Sequence, residues 1–108
     1  AFVECPIAHP ALLVRRAVLA RHGYRDAGWA EDYDLLLRLL AAGERLAVVP
    51  RRLLSWRDHD GRLSRRGAAY SLDGFTRCKA AFLAGGFLAA SERYVLWGFG
   101  GTGKALRR

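Results

Sequence analysis

The sequence contains no methionine, not even at residue 1, and its only lysines are Lys79 and Lys104. The missing methionine makes residues 1–108 read as a segment of a longer chain, or as a chain that has lost its initiator. Cysteine is scarce: Cys5 and Cys78 stand far apart in no C-x-x-C pattern, so they give no metal-binding spacing and read as reduced thiols. Long hydrophobic runs are absent. Arg or Gly interrupts every apolar stretch well before the roughly 18 residues of a membrane span, and no signal peptide is visible. There is no internal repeat and no low-complexity segment. The expectation is a cytoplasmic protein, placed at most against the inner face of a membrane.

Acid is also scarce relative to base. Ten Asp and Glu stand against 18 Lys and Arg, for a formal net charge of +8. That excess favours an anionic partner: nucleotide phosphates, nucleic acid or an acidic membrane surface. Hydrophobic residues make up 52% of the chain, enough for a core and too many for global disorder.

The pattern mixes strand-like and helix-like segments. Residues 1–9, with Phe2, Val3 and Ile7 around Pro6, read as loop. Ala11–Val14, Arg45–Val49, Arg52–Trp56 and Tyr94–Trp97 read as short strands. Helices are expected over 17–22, 31–42 and 67–84, stopped by Gly23, Gly43 and Gly85-Gly86. Asp58–Gly61 carries turn chemistry, and residues 89–93 read as a polar linker. Strands and helices in this order imply an α/β or α+β architecture.

The most informative run is Trp29-Ala30-Glu31-Asp32-Tyr33-Asp34-Leu35, which opens the middle helix. Three carboxylates in one first turn have a purely structural explanation, because the helix dipole and unpaired backbone N–H groups favour acids there. They also have a chemical one. A carboxylate on a rigid helix start is suited to deprotonating a hydroxyl as general base.

This run, with the downstream Leu37-Arg38-Leu39, resembles the Glu-Asp motif of family 2 glycosyltransferases of the GT-A fold. His9–Arg16, Gly23-Tyr24-Arg25, Val48-Val49-Pro50 and Leu53–His59 are similar to the segments flanking that motif, in the same order, and the resemblance covers about residues 5 to 66. It implies an α/β fold: the incomplete C-terminal, acceptor-side part of a GT-A, Rossmann-like nucleotide-diphospho-sugar transferase domain over residues 1–88. It implies transfer of a sugar from a nucleotide-diphosphate donor to an acceptor hydroxyl with inversion. Asp32 is then the base, Glu31 its neighbour and Asp34 a structural residue. Trp29, Tyr33 and His9 fall on the acceptor side, and Arg57 and His59 near the donor diphosphate, where His59 would approach a divalent metal (Mg²⁺ or Mn²⁺). His9 reads equally as structural, His59 as an ordinary surface residue, and His22 as a helix C-terminal residue favoured by the dipole. The acceptor implied is a saccharide or a lipid-linked one, with peripheral membrane contact and no nucleic acid. The basic pairs Arg15-Arg16, Arg51-Arg52 and Arg65-Arg66 are solvated charge by default and an anionic-surface contact otherwise. Residues 1–30 hold no metal-binding Asp-x-Asp, so this segment alone is expected to be catalytically incompetent.

Residues 89–108 read as a linker and the start of a second Rossmann-like unit. Gly98-Phe99-Gly100-Gly101-Thr102-Gly103 matches G-x-G-x-x-G directly after a strand candidate, the context of a dinucleotide fingerprint. Gly98–Lys104 also fits part of a phosphate loop, but Ala105 stands where a hydroxyl is needed. Two other classes follow from the same residues: a non-catalytic basic module that binds nucleic acid or an anionic surface, and the opening of a dinucleotide-binding oxidoreductase domain.

Overall fold

The computed structural model describes residues 5–98 and 100–106. Phe2, Val3 and Phe99, expected in the opening loop and the glycine-rich tail, lie outside them. The described chain is helical. Its helices are α1 (Arg16–His22), α2 (Glu31–Ala41), α3 (Leu63–Arg66), α4 (Leu72–Phe82) and α5 (Gly101–Leu106). Short 3₁₀ turns span His9–Ala11 and Ala68–Tyr70, and a π-helical turn spans Leu83–Phe87.

The α/β, Rossmann-like expectation is corrected here: no β-strand and no sheet occurs among the described residues. The four apolar runs expected as strands find no partner. Pro10 pre-sets the backbone of a 3₁₀ turn, which takes up the start of the first run. Residues 45–49, 52–56 and 94–97 form neither helix nor ladder, and their large side chains face solvent: Val48 is 90% exposed, Val95 88% and Trp97 96%. A strand exists only by its ladder of hydrogen bonds. Apolar, β-branched sequence supplies the propensity but not the neighbour.

Helix α2 is the centre of the molecule. Tyr33 through Leu37 and Leu39 are all buried, so the helix is covered on more than the single apolar face that its spacing implies. Each fully buried Leu contributes about 1.5–3 kcal/mol. The helix ends in a Schellman motif: Gly43 N–H donates to Leu40 O and Glu44 N–H to Leu39 O, with Gly43 at φ 76°. Around the start of α2 the core gathers Ala30, Tyr33, Leu36, Leu37 and Cys78, with Cys5, Trp29, Tyr70 and Phe75 packed against them. Tyr33 meets the Phe75 ring at 5.4 Å between centroids, in a tilted arrangement.

The helix expected over 67–84 is broken. Ser71 is extended and its hydroxyl accepts the Gly74 N–H at 3.0 Å, so α4 starts with its own cap at 72. The Gly85-Gly86 pair does not stop the chain abruptly. Leu88 N–H donates to Leu83 O at 2.8 Å, and the helix widens into a π turn before ending. The strand expected over 94–97 is not formed; after it Gly98 stands at φ 107° and the short α5 packs on α4.

Candidate functional site

The three carboxylates at the start of α2 have three different environments. Asp34 is wholly buried and fully engaged. Arg25 grips it bidentately, Nη2 to Oδ1 at 2.8 Å and Nε to Oδ2 at 2.9 Å. Arg38 Nε donates to Oδ2 at 2.7 Å and Trp29 Nε1 to Oδ1 at 3.0 Å. Burial alone would raise the Asp34 carboxyl. The hydrogen bonds from Arg25, Trp29 and Arg38 outweigh it and hold the pKa below the ordinary carboxylate value. Arg38 reaches further, donating to His22 O at 2.5 Å and Gly23 O at 2.6 Å. One ionic knot therefore ties the end of α1 and the 25–29 loop to the first turn of α2.

Glu31 is committed as well: its Oε1 accepts the Tyr70 hydroxyl at 2.6 Å, across 39 residues of sequence. Asp32 differs from both. It is half-buried, makes no ion pair among the described residues, and its Oδ1 accepts only the adjacent Tyr33 N–H at 2.7 Å. Its charge is felt by several neighbours. Burial, then Asp32 and Glu31, raise the Tyr24 hydroxyl. Burial first, then the Glu31 hydrogen bond and the two carboxylates, raise that of Tyr70. Burial, with a smaller push from Asp32, also raises the Cys5 thiol. The groups that feel the Asp32 charge are thus two phenols and a thiol, with the Glu31 carboxylate acting on the same two phenols.

The structure brings His9 into this neighbourhood through Tyr24. His9 Nε2 and Tyr24 Oη are 2.7 Å apart, and the rings are tilted at 5.4 Å. It places the other site candidates elsewhere. Tyr33 is wholly buried against Phe75 and Cys78, and its hydroxyl is pushed up to about 12 by that burial, so it presents no surface to an acceptor. Trp29 gives its indole N–H to Asp34 and its ring to the core, which makes it a brace of the helix start. Arg57 and His59 lie in the exposed segment 45–61 and make no hydrogen bond or ion pair with Glu31 or Asp32 among the described residues.

The carboxylates nearest His59 in sequence, Asp58 and Asp60, are engaged by arginines. The Arg62 hydrogen bond first, and the Arg65 charge after it, hold the Asp58 carboxyl below its usual range, and Asp60 pairs with Arg65 at 3.1 Å. Both carboxylates are answered by guanidinium groups. No cluster of three His, Cys, Asp or Glu able to hold an ion occurs among the described residues. His22 ends α1, its Nε2 lying 3.5 Å from Glu44 Oε1. A cavity of about 640 Å³ opens at the other end of α2, lined by Leu12, Val14, Val18, Leu39 and Leu46. Its lining residue on α2, Leu39, stands about 10 Å along the helix axis from Asp32.

Sequence reasoning missed Tyr24 and Tyr70 as neighbours of the acidic start. Tyr70 gave no signal, because a 39-residue separation carries no periodicity. The Asp34–Arg38 pair was readable, since residues i and i+4 meet on one helix face. Compared with family models, curated proteins and solved structures, the chain matches none.

Proposed function

We propose that the start of α2 is the acceptor-activating part of a sugar transferase that uses a nucleotide-diphosphate donor, with Asp32 as the general base toward an acceptor hydroxyl. The observation that carries this reading is the division of labour among the three carboxylates. Asp34 is spent on the buried knot, Glu31 on Tyr70, and Asp32 alone has no side-chain partner among the described residues. The knot makes the position rigid, which a base acting within hydrogen-bond reach requires. Tyr24 and His9 stand beside it as hydrogen-bonding groups toward a polyol, and Glu31 keeps a negative field near the abstracted proton. Arg57 supplies a guanidinium for the donor diphosphate if that ligand bridges the exposed segment and the helix start. No step is assigned to a metal ion.

The test uses the gene product that contains this chain, offered a panel of nucleotide sugars with Mg²⁺ or Mn²⁺ present. Asp32→Asn is expected to lower transfer or donor hydrolysis by roughly 10²–10⁴-fold, the usual size of a general-base contribution, with the helical circular dichroism unchanged. Activity that survives the substitution places the base elsewhere. If no donor is turned over or bound, the non-catalytic basic module replaces this reading.

A further inference from the structure

Residues 45–61 are exposed without a break. Among the described residues their backbone forms only local turns, such as Arg51 N–H to Val49 O at 2.7 Å. The segment carries large apolar side chains into solvent: Val48 is 90% exposed, Leu53 66%, Val49 58%, Leu54 50% and Trp56 47%. Single exposed apolar residues are ordinary, but a continuous run of this size marks an interaction surface. Its charge is one-sided. Arg51, Arg52 and Arg57 make no ion pair among the described residues, while the acids Asp58 and Asp60 are already held by Arg62 and Arg65. Trp56 is held in place by the Arg62 guanidinium, 3.8 Å from its ring centroid.

From this we infer that residues 45–61 form a strap that docks peripherally on an anionic lipid bilayer. Unpaired arginines interleaved with valine, leucine and tryptophan complement such a surface in both its properties. The apolar side chains enter the boundary between headgroups and acyl chains, the indole sits at that boundary, and the guanidinium groups meet lipid phosphates. Nucleic acid would use the arginines but not the aliphatic side chains, because backbone and stacking contacts need cations and aromatic rings. A second copy of the chain would bring the same unpaired arginines against themselves. The inference stands independently of the role of Asp32, which lies on a different element.

The test is co-sedimentation of the gene product with vesicles of phosphatidylcholine containing phosphatidylglycerol, against vesicles of phosphatidylcholine alone. Binding is expected only to the anionic vesicles and is expected to fall as salt is raised. The pair Arg51→Gln and Arg52→Gln is expected to weaken partitioning on the order of thirtyfold. The pair Leu53→Ser and Leu54→Ser is expected to weaken it too, with the salt dependence kept. All four positions are exposed, so circular dichroism is expected to be unchanged. Equal binding to both vesicle types, or none to either, overturns the proposal. So does a silent Leu53/Leu54 pair together with displacement by an oligonucleotide, which would make the strap a nucleic-acid contact. Loss of self-association in the serine variants, with vesicle binding intact, would make it a contact between copies.

Discussion

At the scale of single residues, adjacent carboxylates that look alike in sequence act differently because their surroundings differ. Asp34 is ionised in a wholly buried place and is satisfied there by two arginines and an indole. Removing one partner of a buried charge group leaves the others uncompensated. Asp34→Asn is therefore expected to destabilise the fold by about 3–5 kcal/mol in urea denaturation. Asp32→Asn removes only a favourable interaction with the helix dipole and is expected to cost at most about 1 kcal/mol. The contrast separates a base from a brace: loss of activity with stability kept is the signature expected at Asp32 only. The Glu-Asp pattern was legible in the sequence, and so was the structural character of Asp34. That Tyr33 turns into the core was not, because its neighbours Phe75 and Cys78 come from a distant helix.

At the scale of elements, the helix boundaries near α1 and α2 followed from local chemistry. Gly23 at φ 54° and Gly43 at φ 76° end their helices in conformations that cost glycine little. The break before α4 carries a close approach of the preceding turn to Gly74 that sequence alone does not reveal. A Cβ on Gly74 would lie 2.4 Å from the Ala69 carbonyl oxygen, a backbone atom that cannot swing away. Gly74→Ala is expected to destabilise by about 1–3 kcal/mol in spite of alanine's better helix propensity, through overpacking. Gly86, in the π turn, has no atom within 4 Å of such a Cβ. Gly86→Ala is expected to raise stability by about 0.4–1 kcal/mol, chiefly by restricting the unfolded chain. Thermal melts of the two variants, moving in opposite directions, check both. A Cβ on Gly103 would likewise meet Gly98 O at 2.3 Å, so this glycine of the tail answers a need of packing.

At the scale of the whole molecule, the chain is open for its length. Its Cα radius of gyration is 15.4 Å, against about 13 Å for a typical compact domain of roughly 100 residues. The buried set is small and concentrated on α2, so the pH limits of stability depend on a few groups. Asp34 has a depressed pKa. Its contribution is complete above the unfolded value near 3.9 and is lost as pH falls through the lower folded value. Tyr33 and Cys78 lie at the opposite limit: burial first, then the Cys78 charge for the phenol and the Asp34 charge for the thiol, raise each to about 12 from 10.0 and 9.0. Their neutral forms stabilise the fold fully below pH 9, and that contribution is lost as pH rises to about 12. Circular dichroism across pH is expected to show a plateau between about 4 and 9 with losses on both sides. Cys78→Ala is expected to shift the onset of the alkaline loss upward.

No helix among the described residues is long and apolar enough to cross a membrane, which agrees with the interrupted hydrophobic runs. The sequence by itself determined α1, α2 and their glycine stops, the acidic helix start and the basic excess, because each rests on neighbours within about one helical turn. Only the tertiary structure decided that the strand-like runs stay unpaired, that Glu31 goes to Tyr70, and that Asp32, of the three carboxylates, has no side-chain partner among the described residues. Those outcomes depend on partners many residues away, and a ladder, a buried ion pair or a phenol–carboxylate contact forms only where packing brings its second half.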